Sequence, residues 1–265
     1  MKRYKKPYRV KRKKSILRNG FFRFGILSSI FFGVVLYFFV FSEFFQIEKI
    51  NISGQTKVSF DEVKSLAENN LENNILFLKS KSVFLVNSPK IKKAVLDSFP
   101  QIAEAKVSRD FIKGLNIVVT ERAGIAKWCG GDGKCFLFDK EGIAFKELAE
   151  NDNDFLKVET PDFFGEPKLG QSILSSEAAG RIAKIEAELE NNPKIPLKII
   201  SLVAEDRLDA RTSENWEIYF IASKDLDWQM TKLKAVLESE IPQGKRKNLE
   251  YIDLRFGNLA SYKYR

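Results

Sequence analysis

An uncharged run of 18 residues near the start is the feature that most constrains how this chain folds. Residues 24–41 read FGILSSIFFGVVLYFFVF, with Arg23 before them and Glu43 shortly after. As a helix, this run would be about 27 Å long, close to the thickness of the hydrocarbon core of a bilayer. The alternative is a buried core helix, but a run that is apolar on all sides and follows a polybasic segment favours the membrane. We therefore predict that residues 24–41 span a membrane.

The residues before this run are strongly basic. Residues 1–23 hold 11 of the 44 Lys and Arg residues and no acidic residue, which leaves 33 basic and 35 acidic residues in the rest of the chain. Basic flanks stay in the cytoplasm, so we predict a cytoplasmic tail over residues 1–23 that is attracted to anionic lipids, with everything after residue 41 exported. The following FSEFFQIEKI has no small-residue cleavage site, which favours an uncleaved anchor over a signal peptide. Tyr4 and Tyr8 lie among the basic residues, but without a folded recognition module we predict no nucleic-acid partner.

The first part of the exported chain has the pattern of a small α/β unit. FQIEKINISG alternates like a strand, and VSFDEVKSLAENNL predicts a helix whose capping box pairs Ser59 with Glu62. SPKIKKAVLDSFP predicts a second helix, with Ser88 as N-cap and Pro89 at its first position. Two strand-like runs follow, IAEAKVSRDF and LNIVVTERA, joined by a turn at Lys113. The predicted order is strand, helix, helix, strand, strand.

The run FPQIAEAKVSRDFIKGLNIVVTERAGIAKW resembles the end of the POTRA domain in bacterial cell-division proteins of the FtsQ/DivIB type. Ile112 and Gly124 depart from the family pattern, which often has Pro at both places. Glu121 and Arg122 are adjacent in a strand and point to opposite faces, so we expect separate contacts near the domain joint. The matching family positions are Pro100, Ile102, Val107, Arg109, Leu115 and Glu121, with Trp128 beginning the next domain.

The rest of the chain reads as a second mixed unit. CGGDGKCFLFDKEGIAF places a tight loop at Gly130, Gly131 and Gly133 between two strands, and IISLVA and WEIYFI read as further strands. We predict a helix over residues 175–190 and another that Ser223 opens, followed by final strands LEYIDLRF and LASYKYR. Four sets of residues are each expected to share one face of their helix or strand: Ala178, Ile182, Ile185 and Leu189; Trp216, Ile218 and Phe220; Leu226, Met230, Leu233 and Leu237, an inner stripe; and Ile252, Leu254 and Phe256.

This order is similar to that of the FtsQ/DivIB β domain, so the resemblance covers essentially the whole chain. The predicted fold class is α+β: a single N-terminal transmembrane helix, a POTRA-like β-α-α-β-β domain, and a mixed α+β domain with a mainly antiparallel sheet. The expected boundaries are residues 1–23 for the tail, 24–41 for the span, 44–122 for the POTRA-like domain and 123–265 for the β domain.

The composition argues against an enzyme. The chain has no histidine, which removes the usual general base and the usual zinc ligand, and it has no Ser-x-x-Lys motif or Gly-rich phosphate loop. Paired carboxylates of the glycosidase kind stay open as an alternative. We predict no catalytic, cofactor-binding or metal-binding residues. The two cysteines, Cys129 and Cys135, either form a disulfide across a hairpin loop or remain two reduced thiols.

The resemblance also implies partners. FtsQ-type proteins hold a strand of an FtsB/DivIC-type subunit at the C-terminal edge of the β domain, which carries over to Arg255, Phe256, Gly257 and Asn258 here. Tyr262 and Tyr264 on the last strand can add contact area, although Lys263 and Arg265 would also suit an ordinary protected edge.

The family's role implies a divisome scaffold at the division septum of the cytoplasmic membrane, regulating septal cell-wall synthesis. It would bind FtsB-like and FtsL-like bitopic proteins, and its POTRA-like domain would dock to other divisome proteins. The alternative is a POTRA-bearing membrane protein of envelope transport or secretion that binds polypeptides.

Overall fold

The computed structural model describes residues 20–265 except for short segments at 76–77, 111–112, 131–132, 150, 153, 161–166, 192–193 and 205. The predicted roles of the basic tail up to residue 19, of Ile112 and of Gly131 therefore lie outside the described residues.

A single long helix, α1, begins the described chain. It runs from Gly20 to Phe41, so it starts four residues before the expected span. Residues Phe21–Phe41 have a mean hydropathy of 2.3 and are not buried against the rest of the protein, and in the described part of the chain only this helix is long and apolar enough to cross a bilayer. Without protein cover, its apolar surface needs lipid around it.

The first folded unit has the predicted order with one addition, a small hairpin between its two helices. Its sheet has the order β1-β5-β4, with β1 parallel and β4 antiparallel to the central strand. Helices α2 and α3 close its core with buried side chains such as Val63, Ile91 and Val95. The elements are a 3-10 turn at Glu43–Phe45, β1 Lys49–Ser53, α2 Phe60–Asn69, the hairpin strands β2 Asn73–Ile75 and β3 Leu78–Ser80, α3 Ser88–Ser98, β4 Ile102–Asp110 and β5 Gly114–Glu121.

The caps of these helices differ from the predicted ones. Ser59 is at the N-cap of α2, but its side chain makes no capping hydrogen bond. The cap of α3 is Asn87, one residue before the predicted Ser88, and its side-chain oxygen accepts the Lys90 N–H at 3.0 Å. The side-chain oxygen of Asn87 reaches the N–H of Lys90, the third residue of the helix. Asn87 is therefore the cap, and Ser88 is the first helical residue.

The N-terminal approach to α2 is held by a carboxylate from the far end of β5. One oxygen of Glu121 accepts the N–H groups of Thr56, Lys57 and Val58 at 2.7, 2.8 and 2.9 Å, and the other accepts the Thr56 hydroxyl at 2.5 Å. Burial alone would raise the pKa of Glu121, but these hydrogen bonds outweigh it and hold the pKa at about 2, against an ordinary value of 4.5. Successive N–H groups that converge on one oxygen form an anion-binding nest.

We expect Glu121→Gln to lower the free energy of unfolding by about 1–2 kcal/mol at neutral pH, because a neutral amide is a weaker acceptor for the same donors. The folded pKa is depressed, so the contribution is complete above about pH 4.5 and is lost as the pH falls toward 2. Denaturant unfolding of the detergent-solubilised chain at several pH values measures this difference. A gap between the wild type and Glu121→Gln that stays constant down to pH 2 would contradict the assignment.

The second unit is built on a sheet with the order β14-β13-β12-β11-β10-β9-β6-β7-β8. Three neighbouring pairs, β6/β9, β9/β10 and β12/β13, are parallel and the other five are antiparallel, so the sheet is largely antiparallel as predicted. The elements are β6 Ala126–Cys129, β7 Cys135–Phe138, β8 Ala144–Leu148, β9 Lys157–Glu159, α4 Ser176–Asn191, β10 Leu197–Ala204, β11 Arg207–Thr212, β12 Glu217–Ile221, α5 Leu226–Ser239, a 3-10 turn at Gln243–Asn248, β13 Leu249–Asp253 and β14 Ser261–Tyr264.

The core of this unit follows the predicted inner faces with a few shifts. Trp216, directly before β12, and Ile218 and Phe220 on that strand are fully buried, as their alternation predicts. On α4 the buried alanine is Ala179 instead of Ala178, and the predicted Ile182, Ile185 and Leu189 complete that face. Helix α5 begins after Asp225, which caps it by accepting two backbone N–H groups, and not at Ser223. Its predicted stripe of Leu226, Met230, Leu233 and Leu237 is buried.

A buried ion pair joins the two units. The guanidinium of Arg122 contacts the carboxylate of Asp139 and also donates to the carbonyl of Pro100 at 3.1 Å, so it connects the end of the first unit to the second. Asp139 is in turn fixed by the N–H groups of Glu141 and Ile143. Removing one partner of such a pair leaves a buried charge alone, so this joint is sensitive to a single substitution at either residue.

Candidate partner-binding edge

The last strand of the chain, β14, forms one edge of the nine-stranded sheet. It pairs antiparallel with β13, and among the described residues no strand lies on its other side. The N–H of Arg265 donates to the carbonyl of Asn248 at 2.9 Å, so the backbone of Arg265 faces β13. Because alternate residues of a strand direct their backbone groups to opposite sides, Lys263 also faces β13, and Tyr262 and Tyr264 face away. The two tyrosines therefore carry the open backbone groups of this edge.

Charged side chains on β14 are engaged within the sheet. Lys263 makes an ion pair of 2.7 Å with Glu250 on β13, and the guanidinium of Arg265 donates to the carbonyl of Asn215. Lys and Arg side chains along an edge normally repel an incoming strand by projecting into its path. Here both cations are held against their own sheet, which weakens that protection.

The connection from β13 to β14 displays two large apolar side chains. Phe256 is 61% exposed and Leu259 is 73% exposed. The expected strand alternation of Ile252, Leu254 and Phe256 does not extend to Phe256, because β13 ends at Asp253 and the chain then turns. Ile252 and Leu254 are buried as predicted. Leu259 was not identified from the sequence, since a lone leucine in a short loop carries no periodic signal.

A buried lysine holds this connection in place. Lys232 on α5 is 7% exposed, and its ammonium donates to the carbonyls of Leu254, Gly257 and Leu259 at 2.6, 3.0 and 3.1 Å. Burial, with a smaller contribution from the charge of Lys224, lowers the pKa of Lys232. Three carbonyls use all three donors of an ammonium group, so the loop between the strands has a defined shape.

The predicted residue Arg255 is committed to the fold. Its guanidinium binds both oxygens of Asp253, at 2.9 and 2.6 Å, and lies 5.2 Å from the centre of the Tyr219 ring and 5.6 Å from that of Phe256. Burial alone would raise the pKa of Asp253, but the hydrogen bonds from Arg255 lower it. Burial and a hydrogen bond to Glu217 raise the pKa of Tyr219 to about 12. The charge of Arg255 is therefore paired within the fold, and its guanidinium packs near the ring of Phe256.

The remaining predicted residues lie on the same connection and on β14. Gly257 adopts a φ of +39°, in the left-handed region that favours glycine, and Asn258 next to it is exposed. The rings of Tyr262 and Tyr264 meet edge to face at 5.7 Å. The structure thus brings the predicted residues together along one edge, with Leu259 and the half-exposed Trp228 of α5 as additions that the sequence did not indicate.

We expect Lys232→Met to lower the free energy of unfolding by about 1–3 kcal/mol and to loosen residues 254–259, because it leaves three carbonyls without their donor. Hydrogen–deuterium exchange of the full chain should rise in this segment. The matched control is Lys234→Met on the same helix, which removes only a partly exposed ion pair with Glu188 and should cost less than about 1 kcal/mol. Equal effects of the two variants would contradict the role of Lys232.

The two cysteines lie opposite each other on the hairpin of β6 and β7. Cys129 and Cys135 are register partners with Cα atoms 4.0 Å apart, and the structure joins them as a disulfide. A disulfide that closes so short a loop should stabilise the folded state by an amount nearer to about 2 than to about 5 kcal/mol, at the low end of the usual range for disulfides.

We expect the chain isolated from its host under non-reducing conditions to resist a thiol-alkylating reagent, because both sulfur atoms are bonded to each other. Mass spectrometry of the peptides that hold the two cysteines measures this. Prior reduction should expose both thiols and serves as the control. Two alkylated cysteines without reduction would show that the pair is not bridged.

Family comparisons agree with the architecture described above. A family model for the FtsQ-type POTRA domain matches residues 45–122, and a model for the C-terminal region of the cell-division protein FtsQ/DivIB matches residues 126–255. No individual curated protein matches the chain. The second match ends before β14, so the edge strand lies beyond it. The two models follow each other in family order over most of the chain, and the chain therefore belongs to the FtsQ/DivIB family of bacterial cell-division proteins.

Proposed function

We propose that this chain is a non-catalytic, bitopic scaffold of the bacterial divisome that binds an FtsB/DivIC-like partner by β-strand addition to β14. FtsQ/DivIB proteins are non-enzymatic division proteins, which gives the general setting. The proposal adds the partner, the edge and the residues: Arg255, Phe256, Gly257, Asn258, Tyr262 and Tyr264.

The membrane arrangement is part of the proposal. Helix α1 spans the cytoplasmic membrane once, the basic tail up to residue 23 stays in the cytoplasm on anionic lipid, and the units over residues 44–122 and 123–265 are exported. The protein acts at the division septum, where it also binds an FtsL-like protein. Its POTRA unit contacts other membrane proteins of the divisome.

The observation that carries the proposal is the outward backbone of Tyr262 and Tyr264 at a sheet edge. An added strand would pair with these groups, and its alternate side chains would meet the surface beside the edge. That surface offers Phe256 and Leu259 on a loop that Lys232 holds in one shape. Apolar side chains on a preorganised loop bind at a lower entropic cost than mobile ones.

We expect Tyr262→Pro to weaken binding of the FtsB-like subunit at least about tenfold, because proline removes one outward N–H and its ring blocks the path of an incoming strand. The same change removes no N–H that faces β13, so the sheet should remain folded; prolines are tolerated at such edge positions. Co-purification of the FtsB-like subunit with the tagged full chain from its host measures binding.

The matched control is Tyr262→Val, which removes the ring but keeps the N–H. We expect this variant to retain more binding than Tyr262→Pro. Circular dichroism and membrane fractionation establish that both variants fold and insert. Undiminished capture of the FtsB-like subunit by folded Tyr262→Pro would exclude β-strand addition at this edge.

A further inference from the structure

The outer end of α1 is fastened directly to the POTRA unit. The last carbonyls of a helix have no partners within it. Here the carbonyl of Phe39 accepts the hydroxyl of Ser82 at 2.9 Å, and that of Val40 accepts the hydroxyl of Ser80 at 2.5 Å and the side-chain amide of Gln46 at 2.9 Å. The unit therefore begins at the helix end without a flexible linker.

Aromatic rings reinforce this junction. Phe45 of the 3-10 turn lies 5.0 Å from Phe39 of α1 and 5.3 Å from Phe84, and Phe84 lies 5.4 Å from Phe39, all between ring centres. Phe84 belongs to the segment that follows β3, so a ring from the folded unit is in contact with the last turn of the helix.

This contact determines the depth of Phe84 if α1 spans the membrane. The uncharged span over residues 24–41 is about 27 Å long as a helix, close to the thickness of the hydrocarbon core, and Phe39 is about 3 Å from its outer end. A ring that touches Phe39 lies at the level where the acyl chains meet the headgroups. Phe84 is 44% exposed there. Phe44 is also exposed, and its ring centre lies 5.1 Å from that of Phe45. Leu78 is exposed on the same face of β3 as Ser80, whose hydroxyl bonds the end of α1.

We propose that Phe44, Leu78 and Phe84 form an interfacial patch that inserts into the outer leaflet of the membrane that α1 spans. This inference rests on the membrane arrangement of the proposed function and adds a second, lateral contact with the same bilayer. The POTRA unit is thereby held on the membrane surface in one orientation.

Local charge identifies the kind of lipid surface. Two lysines on either side of Ser80, Lys79 and Lys81, lie 3.0 and 3.7 Å from Glu72. A second carboxylate, Glu43, precedes Phe44 in the chain, so two cations are balanced by two carboxylates. Compensated charges give little attraction to anionic headgroups, whereas large apolar side chains partition into the interface of any fluid bilayer. The patch therefore inserts into zwitterionic lipid as well as into anionic lipid.

Tryptophan quenching by lipids brominated on their acyl chains tests the inference in the full chain, reconstituted in zwitterionic nanodiscs. Three single substitutions place a tryptophan at the patch (Phe84→Trp), in the helix (Ile30→Trp) and on β5 (Val118→Trp). Val118 is 46% exposed and so matches Phe84 in exposure. The native tryptophans at 128, 216 and 228 all belong to the second unit and give a constant background.

We expect brominated lipid to quench Phe84→Trp and Ile30→Trp, and Val118→Trp to match the unsubstituted chain. Phe44→Trp, at a second patch position, should behave like Phe84→Trp and guards against a local disturbance by one substitution. The quenching should be equal in high salt and in nanodiscs with anionic lipid.

The outcomes separate the two proposals. Quenching of Ile30→Trp without quenching of either patch variant would overturn the interfacial patch and leave the membrane anchor in place. Absence of quenching at Ile30→Trp would overturn the anchor itself. Quenching at the patch that requires anionic lipid or vanishes in salt would show that charge, and not the apolar patch, holds the unit on the membrane.

Discussion

Backbone hydrogen bonding is the constraint on which this structure depends, because polar groups of the main chain need partners wherever regular elements end. Side chains from distant parts of the sequence supply those partners at three places. Glu121 binds the N–H groups before α2, Ser80 and Ser82 bind the last carbonyls of α1, and Lys232 binds three carbonyls between β13 and β14. At β14, the backbone groups of Tyr262 and Tyr264 that point away from β13 have no such partner among the described residues. These groups can therefore pair with another chain.

The sequence was sufficient for the features that depend on pattern. The alternation of Trp216, Ile218 and Phe220 and the helical stripe from Leu226 to Leu237 indicate burial through their period, and the structure buries both sets. The apolar run indicates a membrane helix through its length and lack of charge instead. The order of elements followed from such patterns, and the family was inferred from the resemblance of quoted runs, which the two family models confirm. Periodicity identifies a core because every member of the set contributes to the same signal.

The features that the sequence did not indicate depend on single contacts between distant residues. Glu121 and Thr56 are 65 positions apart, and Lys232 and Gly257 are 25 apart, so no local spacing connects them. Ser59 makes no capping hydrogen bond, and the N–H groups of the three residues before it are bound by Glu121 from another strand. Phe256 left its expected face because β13 stops at Asp253, whose carboxylate binds Arg255 and turns the chain. From the sequence alone, a lysine on an amphipathic helix is expected at the surface. Only the structure shows that Lys232 is buried and bound by three carbonyls.

The size of the open edge limits how this protein can hold a partner. The two outward residues of β14 offer about four backbone hydrogen bonds, each with a net value of about 1 kcal/mol. A free energy of about 4 kcal/mol corresponds to a dissociation constant near 1 mM, which is too weak for a soluble complex. In the proposed complex, Phe256 and Leu259 would add apolar contact, and the membrane would add a further effect, because two anchored proteins meet in a thin layer at a high effective concentration. A short edge strand is then sufficient, provided that α1 and the domain it carries keep that edge at a constant height above the bilayer.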